Sequence, residues 1–204
     1  MKEIIEAFFK AYYEDQKDIY LPHYTEEYGL TEENYWDVVM KTSTVTFEDF
    51  ERFEGALEMK LPDSLKAFYS SYYSLEQEID TGGLRLAGCQ ESGPDTGLVS
   101  YFFEMGRSEE MLSLGLVPFG IYNDEWYVCL DMKHTPEDPR IMLFESSQWE
   151  SAEAAVSHRQ WFSNLSAMLL CITDYMKTGD WENFDQIDPG HHYEDAYDYW
   201  DRDS

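Results

Sequence analysis

Apolar residues recur at helical spacing near the N-terminus. The spacing predicts an amphipathic helix over residues 2–20, with charged residues on its other faces. Its apolar face comprises Ile4, Ile5, Phe8, Phe9, Tyr12 and, near its end, Ile19. Residues 21–44 are polar, and Leu21-Pro22 and Gly29 interrupt them. A short helix is predicted from Thr31 to Met40.

Two further helices are predicted after Thr44. Thr46 and Asp49 approximate a capping box, and a helical stripe follows at spacings of three and four: Phe47, Phe50, Phe53 and Leu57. Leu61-Pro62-Asp63 predicts a second start, because proline fits the first helical turn and a carboxylate there favours the helix dipole. The buried stripe of that helix is Leu65, Phe68, Tyr69 and Tyr72.

The middle of the chain changes to strand patterns. Leu84–Ala87 alternates behind a Thr81-Gly82-Gly83 turn, and residues 116–122 and 126–132 predict a hairpin around Asn123-Asp124-Glu125. Residues 140–144 predict a third strand, 90–96 a loop, and 97–105 fit either a helix or a strand. A long helix is predicted from Ala154 to Lys177, ended by Gly179, with this stripe: Trp161, Phe162, Leu165, Met168, Leu169, Ile172 and Met176.

Charge narrows the possible partners. The 204 residues include 14 Lys and Arg against 42 Asp and Glu, a formal net charge of −28. Such a chain repels phosphate backbones and anionic lipid, which argues against binding to nucleic acid or a membrane surface. The same field attracts basic proteins. Composition alone leaves open whether the acids serve a partner or only solubility.

The cysteines and the apolar runs indicate a compartment. Cys89, Cys129 and Cys171 are odd in number and far apart, which favours free thiols in a reducing cytosol over a disulfide framework. Charge interrupts the N-terminal apolar residues, so a signal-peptide core is not recognisable. The longest apolar run, residues 167–172, is far shorter than the ~20 residues that a membrane span needs. We expect a soluble, cytoplasmic protein.

The C-terminal stretch from Asp180 onward is acidic and aromatic. Its many carboxylates are opposed by Arg202 alone. Interleaved with them are Trp181, Phe184, Tyr193, Tyr197, Tyr199 and Trp200. Like charges resist compaction whereas aromatic rings favour a surface to pack on. This tail therefore either folds back onto the domain or contacts a partner.

Catalytic motifs do not stand out. The chain has no GxSxG, HExxH, Walker A or GxGxxG sequence. His191-His192, with acids nearby, could ligate a divalent cation, but the spacing matches no defined loop. Forty-two acids guarantee some close carboxylate pairs by chance, so such pairs indicate nothing. We expect a protein that is not an enzyme, without cofactor, metal or small-molecule substrate.

The order of elements resembles the SUKH superfamily, which includes SMI1/KNR4-like proteins and Syd. The residues that carry the resemblance, within about 46–176, are Phe53-Glu54, Leu57, Leu61-Pro62-Asp63, Phe68-Tyr69, Val117-Pro118-Phe119-Gly120, Val128-Cys129-Leu130-Asp131, Arg140 to Phe144, and Phe162, Leu165 and Leu169. The chain departs from the family pattern after the second helix, where Tyr72-Tyr73-Ser74 stands in place of Asn-Gly-Gly, and in the Asn123-Asp124-Glu125-Trp126 turn.

The resemblance implies an α+β protein-binding domain with helices packed around a central antiparallel or mixed sheet. It divides the chain into an N-terminal helical extension (1–45), an SMI1/KNR4-like core (46–179) and the acidic aromatic tail (180–204). Many bacterial members resemble immunity proteins that neutralise a cognate toxin, often a nuclease. Other members resemble Syd, which docks on a membrane translocase from the cytosol. A Syd-like regulator that binds a basic loop is therefore one alternative, and a metal-dependent enzyme is a more remote one.

The resemblance and the charge together predict a basic protein partner, foremost a toxin domain. Trp126 follows Asp124 and Glu125 in the predicted turn, and an exposed tryptophan flanked by carboxylates is a typical anchor for such a partner. A tryptophan at a strand end is, however, more often buried. The candidate partner-binding residues are Asp124, Glu125, Trp126, Asp180, Trp181, Glu182, Asp185, Glu194, Asp195 and Trp200.

Overall fold

The computed structural model describes residues 1–76, 78–89, 108–124, 126–134, 136–145 and 160–190. The helices are α1 (Lys2–Asp15), α2 (Lys17–Tyr28), α3 (Tyr35–Val39), α4 (Glu51–Leu57), α5 (Asp63–Tyr69), α6 (Ser108–Ser113), α7 (Leu165–Thr178) and α8 (Phe184–Ile187). The strands are β1 (Glu78–Thr81), β2 (Leu84–Ala87), β3 (Leu116–Tyr122), β4 (Trp126–Asp131), β5 (Ile141–Glu145) and β6 (Gln160–Phe162). The α+β class is confirmed. The predicted loop at 90–96 and the ambiguous run at 97–105 lie outside the described residues.

The first helix ends earlier than the sequence predicted. Gln16 interrupts it, and α2 then continues through Pro22 to Gly29, which takes a left-handed conformation with a φ of 61°. Pro22 lies inside α2, so it does not end a helix there. Ile19 belongs to α2 and is 59% exposed, which corrects its assignment to the apolar face. Ile5, Phe8, Phe9 and Tyr12 are buried as expected.

Helix α1 is part of the main core. The Phe9 ring stacks on Phe68 of α5 with centroids 5.5 Å apart, and Phe8 contacts the same ring edge-on at 5.8 Å. Met1 Sδ lies 3.8 Å from Ser166 Oγ at the start of α7. Residues from both sides of position 45 therefore share one apolar cluster. The predicted domain boundaries stay a prediction.

The described strands form one antiparallel sheet in sequence order, β1 to β6. Side chains alternate between its two faces, as the period of two requires. Val128 and Leu130 face the main core, whereas Cys129 joins a smaller cluster with Met111 of α6 on the other face. A bulge at Phe119 shifts the β3–β4 register between Pro118 and Gly120.

Strands β1 and β6 correct two predictions. Thr81 belongs to β1 and pairs with Leu84, so the turn is Gly82-Gly83 alone. Trp161 and Phe162 lie in β6 rather than in the long helix, because β6 pairs with β5 and Asn164 then caps α7. The Asn164 side chain accepts a hydrogen bond of 2.8 Å from the Ala167 backbone N–H. Residues 154–159 of the predicted helix lie outside the described residues.

The region around Thr46 begins with a 3₁₀ turn, Phe47–Phe50, before α4. The Thr46 backbone N–H donates to Asp49 Oδ2 at 2.7 Å, which confirms the capping box. Phe50 and Phe53 are buried, but Phe47 is 44% exposed, with Lys66 Nζ 5.3 Å from its ring centroid. The predicted apolar stripe therefore begins at Phe50, because the tighter turn rotates Phe47 away from the core.

Helix α5 begins at Asp63, with Pro62 as its extended N-cap residue. Leu65, Phe68 and Tyr69 are buried as predicted, whereas Tyr72 lies beyond the end of the helix and is half-buried. The buried Glu54 carboxylate of α4 accepts hydrogen bonds from Lys60, Lys66 and the backbone N–H of Leu61. This carboxylate ties α4 to the segment that leads into α5.

Two glycines give a matched test of the sheet. A Cβ at Gly120 would lie 2.6 Å from the Arg85 carbonyl oxygen, because β2 and β3 approach closely there. Gly120→Ala should therefore lower the free energy of unfolding, by about 1–3 kcal/mol. A Cβ at Gly55 of α4 meets nothing within 4 Å, so Gly55→Ala should raise that free energy by about 0.5–1 kcal/mol. Urea unfolding midpoints check both, and a tolerated Gly120→Ala contradicts the strand approach.

Candidate functional site

Two hairpin turns meet at one end of the sheet. Gly82 and Gly83 have φ angles of 56° and 78°, and Asn123 and Asp124 have φ angles of 49° and 60°. Such left-handed turns match the twist of antiparallel strands. The Asn123 backbone N–H donates to the Gly83 carbonyl oxygen at 2.8 Å, which fixes one turn against the other.

The C-terminal end of α7 packs against the first of these turns, between β1 and β2. A Cβ at Gly82 would lie 2.6 Å from Cε1 of Tyr175, so the ring contacts the turn directly. The Trp181 ring stacks on the Tyr175 ring with centroids 3.9 Å apart. The Phe184 ring, 1% exposed, contacts Trp181 at 4.8 Å. The start of the predicted tail therefore folds back onto the body of the protein.

A buried carboxylate also anchors this returning segment. Asp188, 3% exposed, accepts hydrogen bonds from the backbone N–H of Ser163 at 2.7 Å and from its hydroxyl at 2.5 Å. Of the two possibilities for the tail, the structure shows the folded-back one as far as Gly190. The remainder of the tail lies outside the described residues.

We call the surface formed by these elements the turn edge. It comprises Glu78, Asp80, Gly82, Gly83, Arg85, Asn123, Asp124, Tyr175, Asp180, Trp181 and Glu182. Five carboxylates stand here against one guanidinium. Arg85 forms ion pairs with Asp124 and, at 3.7 Å, with Glu78. The remaining acids leave the turn edge negative.

The electrostatics of Asp80 show the crowding of charge. Partial burial raises the pKa of the Asp80 carboxyl, and the nearby charges of Glu78, Asp124 and Glu76 raise it further. Arg85, which lies opposite Asp80 in the register, lowers it only partly. A negative field of this kind favours the approach of a cation.

Four of the candidate partner-binding residues belong to the turn edge: Asp124, Asp180, Trp181 and Glu182. Asp124 is exposed at the hairpin tip, with its side chain 81% accessible. Asp180 and Glu182 are exposed on either side of the half-buried Trp181, and Asp185 is exposed on α8. Glu125, Glu194, Asp195 and Trp200 lie outside the described residues. Asp80 and Arg85 were missed, although the Gly82-Gly83 turn beside them was a usable signal.

Trp126 corrects the hypothesis of an exposed anchor. Its side chain is only 5% exposed and belongs to the main core. Trp126 pairs with Tyr122 across the hairpin and with Glu145 of β5, so neighbouring strands flank it on both sides. Of the two candidate tryptophans that the structure describes, Trp181 is the one that reaches the surface beside acids.

The cysteine thiols, which are potential nucleophiles, lie inside the fold rather than at an accessible site. All three cysteines are free and buried. Burial raises the pKa of the Cys89 thiol to about 11 and, with the charges of Asp188 and Asp174, that of Cys171 to about 12. Such thiols stay protonated and are poor nucleophiles at neutral pH. Within the described ranges, no group of three or more His, Cys, Asp or Glu residues is arranged to hold a metal ion.

Asp131 at the end of β4 is a second buried carboxylate, 1% exposed. It accepts hydrogen bonds from Arg140 at 2.6 Å and from the His134 backbone N–H at 3.2 Å, and its Oδ2 lies 2.8 Å from His134 Nδ1. The hydrogen bonds from Arg140 and His134 lower the pKa of Asp131 against the opposing effect of burial. The cluster fixes the chain between β4 and β5.

Comparison with known proteins identifies the family. The model of the SMI1 / KNR4 family (SUKH-1) matches residues 44–171, more than half of the chain. The chain belongs to the SMI1/KNR4 family. This SUKH family consists of generally non-enzymatic, immunity-protein-like domains, with a role in protein binding. None of the curated proteins matches the chain significantly.

The turn edge combines family and non-family segments. Its two hairpin turns lie within the range that the SMI1/KNR4 model matches, whereas Tyr175 and Trp181 follow it. Among the helices that the structure describes, none is sufficiently long and apolar to cross a membrane.

The raised pKa of Asp80 predicts a pH-dependent effect on stability. In the folded chain the charged carboxylate is disfavoured, so Asp80→Asn should raise the free energy of unfolding at neutral pH. The gain should shrink as the pH falls through the raised pKa and vanish below the ordinary value of 3.8. Urea unfolding midpoints of the variant and the parent across this pH range measure the difference.

Asp49 supplies a control of opposite sign. Hydrogen bonds from the Thr46 backbone and side chain lower the pKa of Asp49. Its stabilisation is present above pH 3.8 and is lost as the pH falls through the lowered pKa. Asp49→Asn should therefore lower stability at neutral pH and have no effect in strong acid. An Asp80→Asn variant that follows the Asp49→Asn profile contradicts the assignment of crowding at the turn edge.

Proposed function

We propose that the protein is a non-enzymatic immunity protein, which neutralises a cognate bacterial toxin by stoichiometric occlusion inside the producing cell. The observation that carries this proposal is the turn edge, a fixed acidic surface with a half-buried tryptophan, on a domain of the SMI1/KNR4 family. The partner is a basic protein, and a nuclease toxin is the favoured class.

The charge of the turn edge suits that class of partner. A nuclease holds its substrate with cationic side chains that contact phosphates. An acidic protein that covers those side chains blocks the substrate without any chemistry of its own. Opposite fields also accelerate encounter, to ~10⁸–10⁹ M⁻¹s⁻¹ in steered complexes. The buried free cysteines are consistent with a reducing cytosol, which is the compartment in which the protein would bind such a toxin.

The turn edge requires little ordering before it binds. Its turns are joined by a backbone hydrogen bond, and Tyr175 supports both Gly82 and Trp181. A surface fixed in advance loses less conformational entropy on binding. Tryptophan is enriched among residues that dominate binding energy. Trp181, flanked by Asp180 and Glu182, is therefore the proposed anchor, while Trp126 supports the hairpin from within the core.

Charge reversal at the turn edge tests the proposal. The parent protein, co-expressed with the toxin domain encoded by the neighbouring gene, should restore growth and co-purify with that domain. The variant Asp80→Lys/Asp124→Lys/Glu182→Lys should associate roughly ten- to a hundredfold more slowly, because it removes the local attraction. Stopped-flow fluorescence measures the association rate, and growth measures protection.

A matched variant controls for total charge. Glu33→Lys/Glu48→Lys/Glu137→Lys changes the net charge by the same amount at exposed positions outside the turn edge. This control should keep most of the parental association rate. Equal losses in both variants would reduce the effect to overall charge, and failure of the parent to bind or protect would overturn the proposal. Binding to a membrane protein instead would favour the Syd-like alternative.

Salt gives an independent prediction. Raising the ionic strength from about 0.05 M to about 0.5 M shortens the Debye length from more than about 10 Å to less than about 5 Å. The association rate of the parent should fall steeply, and that of the turn-edge variant should fall less. A rate that does not change with salt would contradict electrostatic capture.

A further inference from the structure

A groove runs along α1 beside the C-terminal end of α7. Its volume is about 830 Å³, and its lining residues are Ala7, Lys10, Ala11, Glu14, Asp15, Trp36, Met176 and Lys177. Ala7, Ala11, Met176 and Trp36 form an apolar floor. Trp36 of α3 is 39% exposed, which is unusual because tryptophan is large, mainly apolar and highly buried on average. The sequence did not single it out, because its exposure depends on how α1, α3 and α7 pack.

The two main helices of the groove run parallel. Met1 at the start of α1 lies near Ser166 at the start of α7, and the last turn of α1 lies near Met176 and Lys177 at the end of α7. Both helices therefore present their C-terminal ends, which carry partial negative charge, at the same end of the groove.

The charges on the rim are not balanced along its length. Lys10 is paired with Glu6 at 2.7 Å, and Lys177 lies in the last turn of α7, where it offsets the helix dipole. The last turn of α1 contains no basic residue, and the exposed Glu14 and Asp15 add to its negative end. Lys17, which follows them, forms its ion pair with Glu32 at 2.8 Å, although the charge of Glu14 also acts on it. A cationic side chain of a partner is thus favoured beside Glu14 and Asp15, at the C-terminal end of α1.

The dimensions suit a helical segment. Ala7 to Asp15 spans about two helical turns. The small side chains of Ala7 and Ala11 let another helix approach closely, and an apolar groove with exposed aromatic floor receives the apolar face of an amphipathic helix. Within a chain of net charge −28, the occupant favoured by charge is basic.

We propose that this groove binds a basic amphipathic helix of the protein partner, with apolar side chains on Trp36 and Met176 and a Lys or Arg at Glu14 and Asp15. The inference rests on the proposed function, because it assigns a second contact of that partner. The groove and the turn edge adjoin each other, since Tyr175 faces the turn edge and the next two residues line the groove.

A synthetic helix tests the groove without knowledge of the partner. The probe is a peptide of about 18 residues, long enough to form a helix in water, with leucines at i, i+3, i+4 and i+7 and lysines elsewhere. Titration into the ¹⁵N-labelled full chain should shift the amide signals of Ala7 and Ala11 and the indole signal of Trp36. A peptide with the same composition but scrambled leucines, and one with glutamate for lysine, should each bind at least about tenfold more weakly.

Variants of the protein localise the binding. Trp36→Ala should weaken binding of the helical peptide. Ala7→Phe, which fills the floor of the groove, should weaken it too, and this variant replaces Trp36→Ala if the latter is destabilised. Glu14→Lys should weaken it, whereas Glu3→Lys, the same change at the other end of α1, should not. Equal binding of the scrambled peptide, equal effects of Glu14→Lys and Glu3→Lys, or no binding would each overturn the proposal.

Two other occupants are distinguishable by the same means. If Trp200→Ala in the full chain shifts the Trp36 indole signal, the acidic tail occupies the groove, and the proposal is wrong. If the chain is a dimer in light scattering and Trp36→Ala makes it a monomer, a second copy occupies it, and the proposal is again wrong. Growth protection by the Trp36→Ala variant is scored separately, so failure of the groove and failure of the immunity function are told apart.

Discussion

Apolar burial must hold this chain together, because its net charge of −28 opposes compaction. The burial is largely aromatic: Phe8 and Phe9 of α1 pack on Phe68, and Trp161 packs on Tyr122. Those rings join the N-terminal helices, α5 and the sheet into one core. The acidic side chains are left at the periphery. Exceptions such as Glu54 and Asp131 are buried, and each is paired with a cationic side chain. A concentrated negative surface is therefore a consequence of how the core is built.

The position of the turn edge follows from topology. In an antiparallel sheet whose strands pair in sequence order, the β1–β2 and β3–β4 turns necessarily lie at the same end. Close contact between them needs more than topology: the hydrogen bond from Asn123 requires the Gly83 carbonyl to be near, and a Cβ at Gly83 would overlap the Asn123 side chain. Tyr175 then joins α7 to the β1–β2 turn. The backbone of the two turns fixes the position of this edge, and Arg85 then pairs with two of its acids, Asp124 and Glu78.

The sequence predicted those elements that local chemistry decides. The β3–β4 hairpin follows from strand alternation around a turn, and α5 follows from Pro62 and Asp63. The predictions are wrong where residues distant in the sequence determine the local structure. Trp161 and Phe162 continue a helical period, yet pairing with β5 makes them a strand. At the candidate site, Asp124 was predictable from its turn, but the burial of Trp126 depends on β5 and the core, and Trp36 depends on helix packing. Local periodicity carries no information about either.

The last turn of α7 separates two surfaces with different physical characters. On one side Tyr175 supports the turn edge, whose interactions are electrostatic, weakened by salt and effective at long range. On the other side Met176 helps to form an apolar floor, whose interactions act only on contact and depend little on salt. Steering mainly changes association rates, whereas buried apolar contacts mainly change dissociation rates. A partner that spans α7 would therefore be captured through the turn edge and retained through the groove.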